Sequence, residues 1–421
     1  MELKSFYKNI SLSGFSTAIK ILSGIIITKF VAIYSGPSGL AILSNLKNTL
    51  STLTTLSAAG IDNGITKYIS SENTEEEHLR IISSSFTIAL TSSLVLFLST
   101  LLFSSKLSFF ISNTDDYTLI IRIFAFFIPL SAFNLIIVKY LNGLKSYTKI
   151  ISINIYSNII NVFIAIPLIV FWGLKGAVLS FITIPVISFV VTILLTKQHL
   201  YFYKNSFVLS FKNNKYLRLL LSFSLISITA TILTPITQLT IRKIIIHHLD
   251  LHHAGIWDAV NVISNNYFLF VSMTMSLLVL PEFSKATTKN DLIPIIKILL
   301  FKMYPLFLFG LTILYITRGE ITAILFSKDF YDINHYVGIQ FVGDAIKFIG
   351  WIFGIFLISK AQTKKFIIAE MFSAINYIYI TKYLINFHEM SGIFYAYILN
   401  KAISLLVVLL FSLIFLKKSF K

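Results

Sequence analysis

The chain of 421 residues is 56% hydrophobic and only 13% charged, and its mean hydropathy is +0.82. Soluble globular domains carry about 25% charged residues, so the composition excludes an ordinary soluble protein and indicates a membrane protein. The formal net charge of +17 does not indicate nucleic-acid binding, because the basic residues cluster in short loops between apolar segments, as membrane topology requires. The absence of cysteine excludes disulfides, thiolate chemistry and cysteine-ligated metals.

Twelve apolar segments follow one another along the chain, each of about 20 residues or more, the length that crosses a bilayer as a helix. The hydrophilic stretches between them are too short for a separate domain. We therefore predict an all-α integral membrane protein with twelve transmembrane helices. The segments cover residues 13–34, 41–66, 81–104, 117–139, 150–172, 174–196, 216–241, 255–280, 292–317, 336–359, 366–386 and 392–416.

The longest hydrophilic stretch lies between segments six and seven and divides the chain into halves. It predicts an N-terminal six-helix lobe (1–200), a cytoplasmic linker (201–215) and a C-terminal six-helix lobe (216–421). Lysine and arginine strongly favour the loops on the side of the N-terminus. Because cytoplasmic loops carry the excess of basic residues, we expect both termini to lie in the cytoplasm.

Two short patterns recur from one half to the other. Gly39–Asn45 resembles Gly255–Asn261, and Ser112–Tyr117 resembles Ser327–Tyr331, at offsets of 215 to 216 residues. Six helices are an even number, so both halves enter the bilayer with the same orientation. The sequence therefore predicts a parallel pseudo-repeat, an arrangement that suits alternating access by two lobes.

Five lysines fall inside the apolar segments: Lys20, Lys29, Lys47, Lys347 and Lys401. A cation at the centre of a transmembrane helix costs about 2.5–3.5 kcal/mol on the mildest scale, and such residues usually face a polar cavity or pathway. Several cations of one sign indicate a central cavity that attracts an anion. This pattern favours a transporter of an acidic or phosphorylated substrate.

Polar residues at helical spacing add to this cavity. Asp344, Lys347 and Trp351 share a face of segment ten, and Asp258 and Asn261 share a face of segment eight. Hydroxyl groups of a sugar need donors and acceptors of this kind, together with aromatic faces. We therefore expect polar stripes on several helices to enclose a wet lumen.

Other interpretations of the same residues stay open. Serine, threonine and asparagine also join membrane helices without touching a ligand. Asp344 and Lys347 are i,i+3 neighbours that could neutralise each other, and Lys29 and Arg242 lie near helix ends where they could snorkel to the headgroups. The histidines of one outer loop fit no closed zinc site, so we expect a solvated loop rather than a metal centre: His247, His248, His252 and His253.

Several stretches together resemble a known family: Lys29–Gly39, Ala59–Tyr68, Gly255–Trp257, Leu280–Pro281 and Gln340–Lys347. The chain resembles the Wzx-type polysaccharide flippases, which include the O-antigen and lipid III (enterobacterial common antigen) flippases of the multidrug/oligosaccharidyl-lipid/polysaccharide exporter superfamily. The resemblance spans nearly the whole chain. It implies two six-helix lobes around a cationic cavity in the bacterial inner membrane. It also implies transport, without enzymatic activity or ATP hydrolysis, of an undecaprenyl-diphosphate-linked oligosaccharide for lipopolysaccharide biosynthesis, from the cytoplasmic to the periplasmic leaflet.

The resemblance also implies a set of site residues. Lys47 stands where the family has an arginine, Asp258 replaces an uncharged residue, and Lys401 has no clear counterpart. Asp344 and Asp258 are candidates for coupling or gating through a cation, H+ or Na+, and no other cofactor is expected. The resemblance, the lysines inside apolar segments and the polar residues of the repeated pattern together give the candidate substrate-binding residues: Lys20, Lys29, Lys47, Arg122, Arg242, Lys243, Lys347, Lys401, Asn45 and Asn261.

The expected partners are the lipid-linked oligosaccharide, membrane lipids, and polymerase and chain-length-regulator proteins of the same pathway. Two rival functions remain. A multidrug-type antiporter of the same superfamily should have an acidic cavity, whereas the buried charges here are mostly basic. A membrane O-antigen polymerase or ligase should carry a large periplasmic loop, whereas the longest outer loop here is 318–335.

Overall fold

The computed structural model describes residues 3–72, 74–112, 114–199, 215–286, 288–360 and 362–419. Every regular element within these ranges is helical, and they contain no β-strand. The predicted all-α fold is therefore confirmed. Apart from Lys215, the predicted linker lies outside the described residues, so the predicted lobe boundaries stay a prediction.

The helices of the N-terminal half begin with a very long one and include two short ones beside the membrane-length ones. They are α1 (Leu3–Leu56), α2 (Asp62–Ser71), α3 (Glu75–Leu102), α4 (Ser104–Ser112), α5 (Thr118–Gly143) and α6 (Tyr147–Leu195), followed by a 3-10 turn at Lys197–His199.

The C-terminal half is interrupted by two π-helical turns. Its elements are α7 (Lys215–His248), α8 (Leu251–Thr274), a π turn (Met275–Val279), α9 (Leu280–Lys285), α10 (Lys289–Ile298), a second π turn (Leu299–Met303), α11 (Tyr304–Ile316), α12 (Arg318–Leu325), a 3-10 turn (Lys328–Phe330), α13 (Ile333–Ser359) and α14 (Thr363–Ser419).

Three of the long helices are kinked where the sequence predicts a boundary between two segments. The kinks lie at Gly36 (φ 60°), Gly173 (φ 53°) and Glu389 (φ 47°), each with a left-handed backbone. In the part of the chain that the structure describes, seven helices are long and apolar enough to cross a membrane, and these three are among them. Dividing the three kinked helices at their kinks turns the seven candidates into ten. With α7 and α8 the total is twelve, which is consistent with the predicted number of transmembrane helices.

The kinks also reveal the predicted repeat. Gly173 and Glu389 are 216 positions apart, and their ψ angles are −131° and −130°. Three residues after each kink the chain passes close to itself. A Cβ on Gly176 would lie 1.8 Å from the Leu168 carbonyl oxygen, and one on Gly392 would lie 2.4 Å from the Leu384 carbonyl oxygen. Both pairs keep the offset of 216, which supports a common path for the last two helices of each half.

The chain folds as two compact units. The first comprises Met1–Ser35 and Ile42–Pro235, and the second comprises Gly36–Ala41 and Ile236–Lys421. Gly36–Ala41 joins the second unit because its backbone meets α8 there. A Cβ on Gly255 would lie 1.9 Å from the Pro37 carbonyl oxygen, so only a glycine permits this approach.

Each unit has its own apolar core and a separate apolar exterior. In the first unit, Ile65, Phe86 and Ile136 join α2, α3 and α5, and in the second, Met275 and Phe356 belong to the core between α8 and α13. Large apolar side chains nevertheless cover much of the outside of both units. In a bilayer such a surface faces lipid and carries no penalty.

Candidate functional site

A fully buried carboxylate, Asp344, joins three helices of the second unit. Its oxygens accept hydrogen bonds from Ser264 Oγ at 2.6 Å, from Tyr397 Oη at 2.7 Å and from Tyr267 Oη. The donors come from α8 and α14, and Asp344 lies on α13. A carboxylate offers about four acceptor positions, so these hydroxyl groups satisfy most of them.

Lys347 lies one turn beyond Asp344 on the same helix and rests on aromatic rings. Its Nζ is 3.7 Å from the centroid of the Phe268 ring and 5.9 Å from that of Trp351. Attraction between a cation and a ring face is worth about 0.5–2 kcal/mol, more when water is excluded. This contact holds the half-buried ammonium group without neutralising its charge.

A second lysine, Lys401 on α14, belongs to the same cluster. Its Nζ lies 5.4 Å from the centroid of the Tyr397 ring, and its charge repels that of Lys347. Asp344 and Glu370 both attract the two lysines. Among the described residues, no carboxylate forms an ion pair with either lysine. Asp344 and Lys347 therefore interact at a distance rather than closing on each other.

Arg242 and Asp258, for which we predicted separate roles, bind each other. Arg242 Nε donates to Asp258 Oδ2 at 2.7 Å and Nη2 donates to Oδ1 at 2.5 Å. Their side chains are only 1% and 6% exposed, and the guanidinium carbon lies 5.4 Å from the Trp257 ring centroid. Arg242 therefore does not snorkel to a surface. The bidentate geometry matches guanidinium to carboxylate and leaves both groups engaged.

The predicted cations of the first unit are more accessible. Lys20 and Lys47 are exposed, Lys29 is half-buried, and the first two lie close enough for their charges to repel each other. Arg122 is exposed, and its Nε donates to Ser104 Oγ at 3.0 Å. Asn45 is buried, and its Nδ2 donates to the Ile111 carbonyl oxygen at 2.8 Å, a contact that joins α1 to α4.

The remaining predicted residues are Asn261, which lies within α8, and Lys243, which lies in the last two turns of α7. Asn261 Nδ2 donates to the Trp257 carbonyl oxygen at 2.9 Å, and Lys243 is exposed. The histidines predicted to lie in an outer loop instead lie at the end of α7 and in the first turn of α8. There Asp250, His252 and His253 bring three possible metal-binding atoms within 4.8 Å of one another. Asp250 also caps α8 by accepting from the backbone of His253 at 2.7 Å. A helix N-terminus carries a positive dipole, which opposes a metal cation there.

Sequence reasoning missed three participants in the second-unit cluster: Ser264, Tyr267 and Glu370. Ser264 and Tyr267 are i,i+3 neighbours on α8, so they share a face, but their spacing does not indicate which helix that face meets. Glu370 is exposed on α14 and lies outside the predicted stripes. Its charge offsets that of a lysine, so the cluster of two lysines and two carboxylates is formally neutral.

Comparisons with known proteins agree with this architecture. The model of the family described as polysaccharide biosynthesis protein matches residues 6–287. The lipid III flippase of Escherichia coli (strain K12) is 26% identical over 385 residues, which cover 91% of this chain and 92% of that protein. The lipid III flippase of Shigella flexneri gives the same values.

Solved structures show a similar fold at low sequence identity. A multidrug resistance MATE family transporter of the MOP superfamily, in an inward-facing conformation, aligns with a TM-score of 0.76 at 13% identity and covers 95% of both chains. The lipid II flippase MurJ, in an inward closed conformation, aligns with a TM-score of 0.72 at 15% identity, covering 99% of this chain and 88% of its own. The chain therefore shares the fold of these two proteins, and its apolar helices are those of a multi-pass membrane protein.

Proposed function

The chain belongs to the polysaccharide biosynthesis protein family, and on that basis we propose that it is a flippase for an undecaprenyl-diphosphate-linked oligosaccharide. It moves this lipid from the cytoplasmic to the periplasmic leaflet of the bacterial inner membrane. The similarity to two lipid III flippases over 91% of the chain supports this substrate class. The same lipid carries O-antigen units, so the two substrates share one chemistry at the diphosphate.

The observation that carries the proposal is the pair of half-buried lysines, Lys347 and Lys401, held over aromatic rings in an apolar helical unit. A diphosphate in hydrocarbon faces a large desolvation penalty, and nearby cations reduce it because charges interact strongly where water is scarce. Glu370 is exposed and attracts both lysines. Glu370 offsets part of their charge from a distance, so an arriving diphosphate meets two cations without an ion pair to any described residue that must first be broken.

Asp344 is the better candidate for coupling to a cation or proton, because Asp258 is already bound by Arg242. Three hydroxyl groups donate to Asp344. A proton can occupy the remaining acceptor position of Asp344, and it removes the negative charge that strengthens the three hydroxyl hydrogen bonds. Protonation would thereby change the contacts that hold α8, α13 and α14 together, which links a local charge to the arrangement of the helices.

The same proposal includes the topology and the partners. Both termini lie in the cytoplasm, because the basic loops are on that side. The polymerase and the chain-length regulator of the same pathway are the protein partners, because they act on the lipid-linked unit after it reaches the periplasmic leaflet.

The experiment that tests the function measures which leaflet holds the lipid-linked oligosaccharide in cells depleted of this protein. A periplasmic lectin reports its accessibility in intact membranes. We expect the lipid to accumulate on the cytoplasmic side, and the wild-type gene to restore its exposure. Normal periplasmic exposure with unpolymerised single units would contradict the proposal and would indicate a polymerase role.

Point variants connect the assay to the cavity. We expect Lys347→Ala and Lys47→Ala to abolish export at normal protein levels, whereas Lys347→Arg retains part of it because the charge is preserved. Lys285→Ala is the matched control, because Lys285 is exposed and pairs with its neighbour Glu282 at 3.2 Å. Normal glycan display in both alanine variants would refute a role for these cations.

A further inference from the structure

An apolar pocket opens on the side of the second unit, close to Lys347. It has a volume of about 280 Å³ and lies between α8, α11 and α13, and its lining includes the contacting rings of Tyr267, Phe307 and Phe348. Thr274 also lines it, but its hydroxyl group donates to the Phe270 carbonyl oxygen at 3.0 Å. The pocket thus offers little to a polar ligand and suits hydrocarbon.

Irregular turns of the backbone border the pocket. Met275 and Met303, which both line the pocket, belong to the two π turns, and such turns occur frequently at functional sites. Gly310 on α11 also lines the pocket. A Cβ on Gly310 would meet nothing within 4 Å, so its missing side chain leaves room rather than permitting close packing.

The mouth of the pocket lies on a surface that faces lipid. Phe270 on α8 and Leu306 on α11 border it and are 46% and 70% exposed, and Phe309, also on α11, is 63% exposed. In a bilayer an apolar recess on such a surface is filled by hydrocarbon, because water gains no hydrogen bonds there. The shape and lining therefore specify a chain ligand, and the neighbouring charges decide which one.

One layer of aromatic rings separates the pocket from the cation. The Phe268 ring lies 3.7 Å from Lys347 Nζ, and its centroid is 5.8 Å from that of Phe307, which lines the pocket. Lys347 is near the middle of α13. A phospholipid keeps its phosphate at the membrane surface, far from this depth. A polyprenyl diphosphate has its first isoprene unit bonded directly to the phosphate, so it can present both groups here.

We infer that this pocket seats the first isoprene units of the substrate's polyprenyl chain while the diphosphate is at Lys347. An apolar cavity of about 150 Å³ holds one benzene molecule, so this pocket accommodates on the order of ten carbons, or two isoprene units. The inference rests on the proposed function and adds to it a recognition site for the lipid part of the substrate. The chain is bound within one unit rather than left wholly in the bilayer.

The test measures binding of radiolabelled farnesyl diphosphate, and of inorganic diphosphate, to the full-length protein in phospholipid nanodiscs. Gly310→Phe fills the pocket. Gly319→Phe is the matched control, because its Cβ also has open space and it does not line the pocket. We expect Gly310→Phe to weaken farnesyl diphosphate binding by about tenfold or more, since burial of two or three methylene groups is worth that factor. The control should bind like the wild type.

The two ligands separate the possible failures. Unchanged binding of inorganic diphosphate to Gly310→Phe shows that this variant is folded and that its loss concerns the chain. Equal affinity of the wild type for both diphosphates would refute the proposed binding of isoprene units in the pocket and would leave the flippase proposal standing. Equal displacement of the label by farnesol and by dodecylphosphocholine would assign the pocket to membrane acyl chains instead. No binding of either diphosphate would overturn both proposals.

Discussion

Removal of one partner from the Arg242–Asp258 pair tests whether these residues serve the substrate or the fold. Both side chains are almost fully buried, at 1% and 6% exposed, and two hydrogen bonds join them. Breaking a buried pair by removing one partner costs about 3–5 kcal/mol, because the other charge stays buried without compensation. Arg242→Met and Asp258→Leu should therefore each lower the free energy of unfolding by about 3–5 kcal/mol.

The double variant should recover most of that stability, because apolar residues of similar volume often replace a buried pair without net cost. Thermal unfolding of the purified protein in detergent measures the effect. For a unit of 150–250 residues, 1 kcal/mol corresponds to about 2–4 °C, so each single variant should unfold about 6–20 °C earlier. Arg318→Met is the matched control, since Arg318 also lies over an aromatic ring, at 4.3 Å, but at the first residue of the short helix α12.

Additive losses in the double variant would refute the coupling that the geometry predicts. Recovery of stability together with recovery of glycan export would show that the pair is structural. Recovery of stability without export would give Arg242 or Asp258 a direct part in transport. The same cycle therefore distinguishes the predicted site role of both residues from a packing role.

The repeated kinks give two further predictions. Gly176→Ala and Gly392→Ala should each destabilise the protein by about 1–3 kcal/mol, since overpacking has this cost and the new Cβ would overlap a carbonyl oxygen. Gly24→Ala, which has open space around the new Cβ, is the control and should change the unfolding temperature little. Equal unfolding temperatures of all three variants would refute the close approach. Glu389→Gly should raise the unfolding temperature slightly, because it removes the strain of a positive φ at a residue with a side chain, about 1–3 kcal/mol, and adds the smaller entropic cost of glycine. Gly173→Ala should have the opposite effect, and a loss of stability in Glu389→Gly would contradict the strain.

Periodicity predicted which residues share a helix face, and the structure confirms this for α13. Asp344 and Lys347 lie one turn apart and belong to one cluster. The partners of that cluster come from α8 and α14, which are distant in the chain, and no local pattern specifies which faces meet. Segment boundaries were easier, because glycine and proline mark the Gly36 kink and glycine marks the one at Gly173.

Charges that pair across helices were the hardest to predict. Asp258 and Arg242 are 16 positions apart on consecutive helices, and each looked like an independent functional group. Asn45 was predicted to bind the substrate, but its amide group donates a hydrogen bond to a carbonyl oxygen 66 residues away in the chain. In both cases a buried polar group finds its partner through tertiary packing, which a single sequence does not display.

The Arg242–Asp258 pair also bears on how the chain enters the bilayer during synthesis. Taken singly, an arginine or aspartate costs up to about 2.5–3.5 kcal/mol on insertion, the value at the centre of a helix, and Arg242 and Asp258 lie in the halves of α7 and α8 next to the turn that joins them. Only a short turn connects α7 and α8, so the two charges can meet before either is stranded in hydrocarbon. The two helices should therefore partition from the translocon as one neutral hairpin, and separating them by a long soluble insertion at the turn should leave α7 poorly inserted.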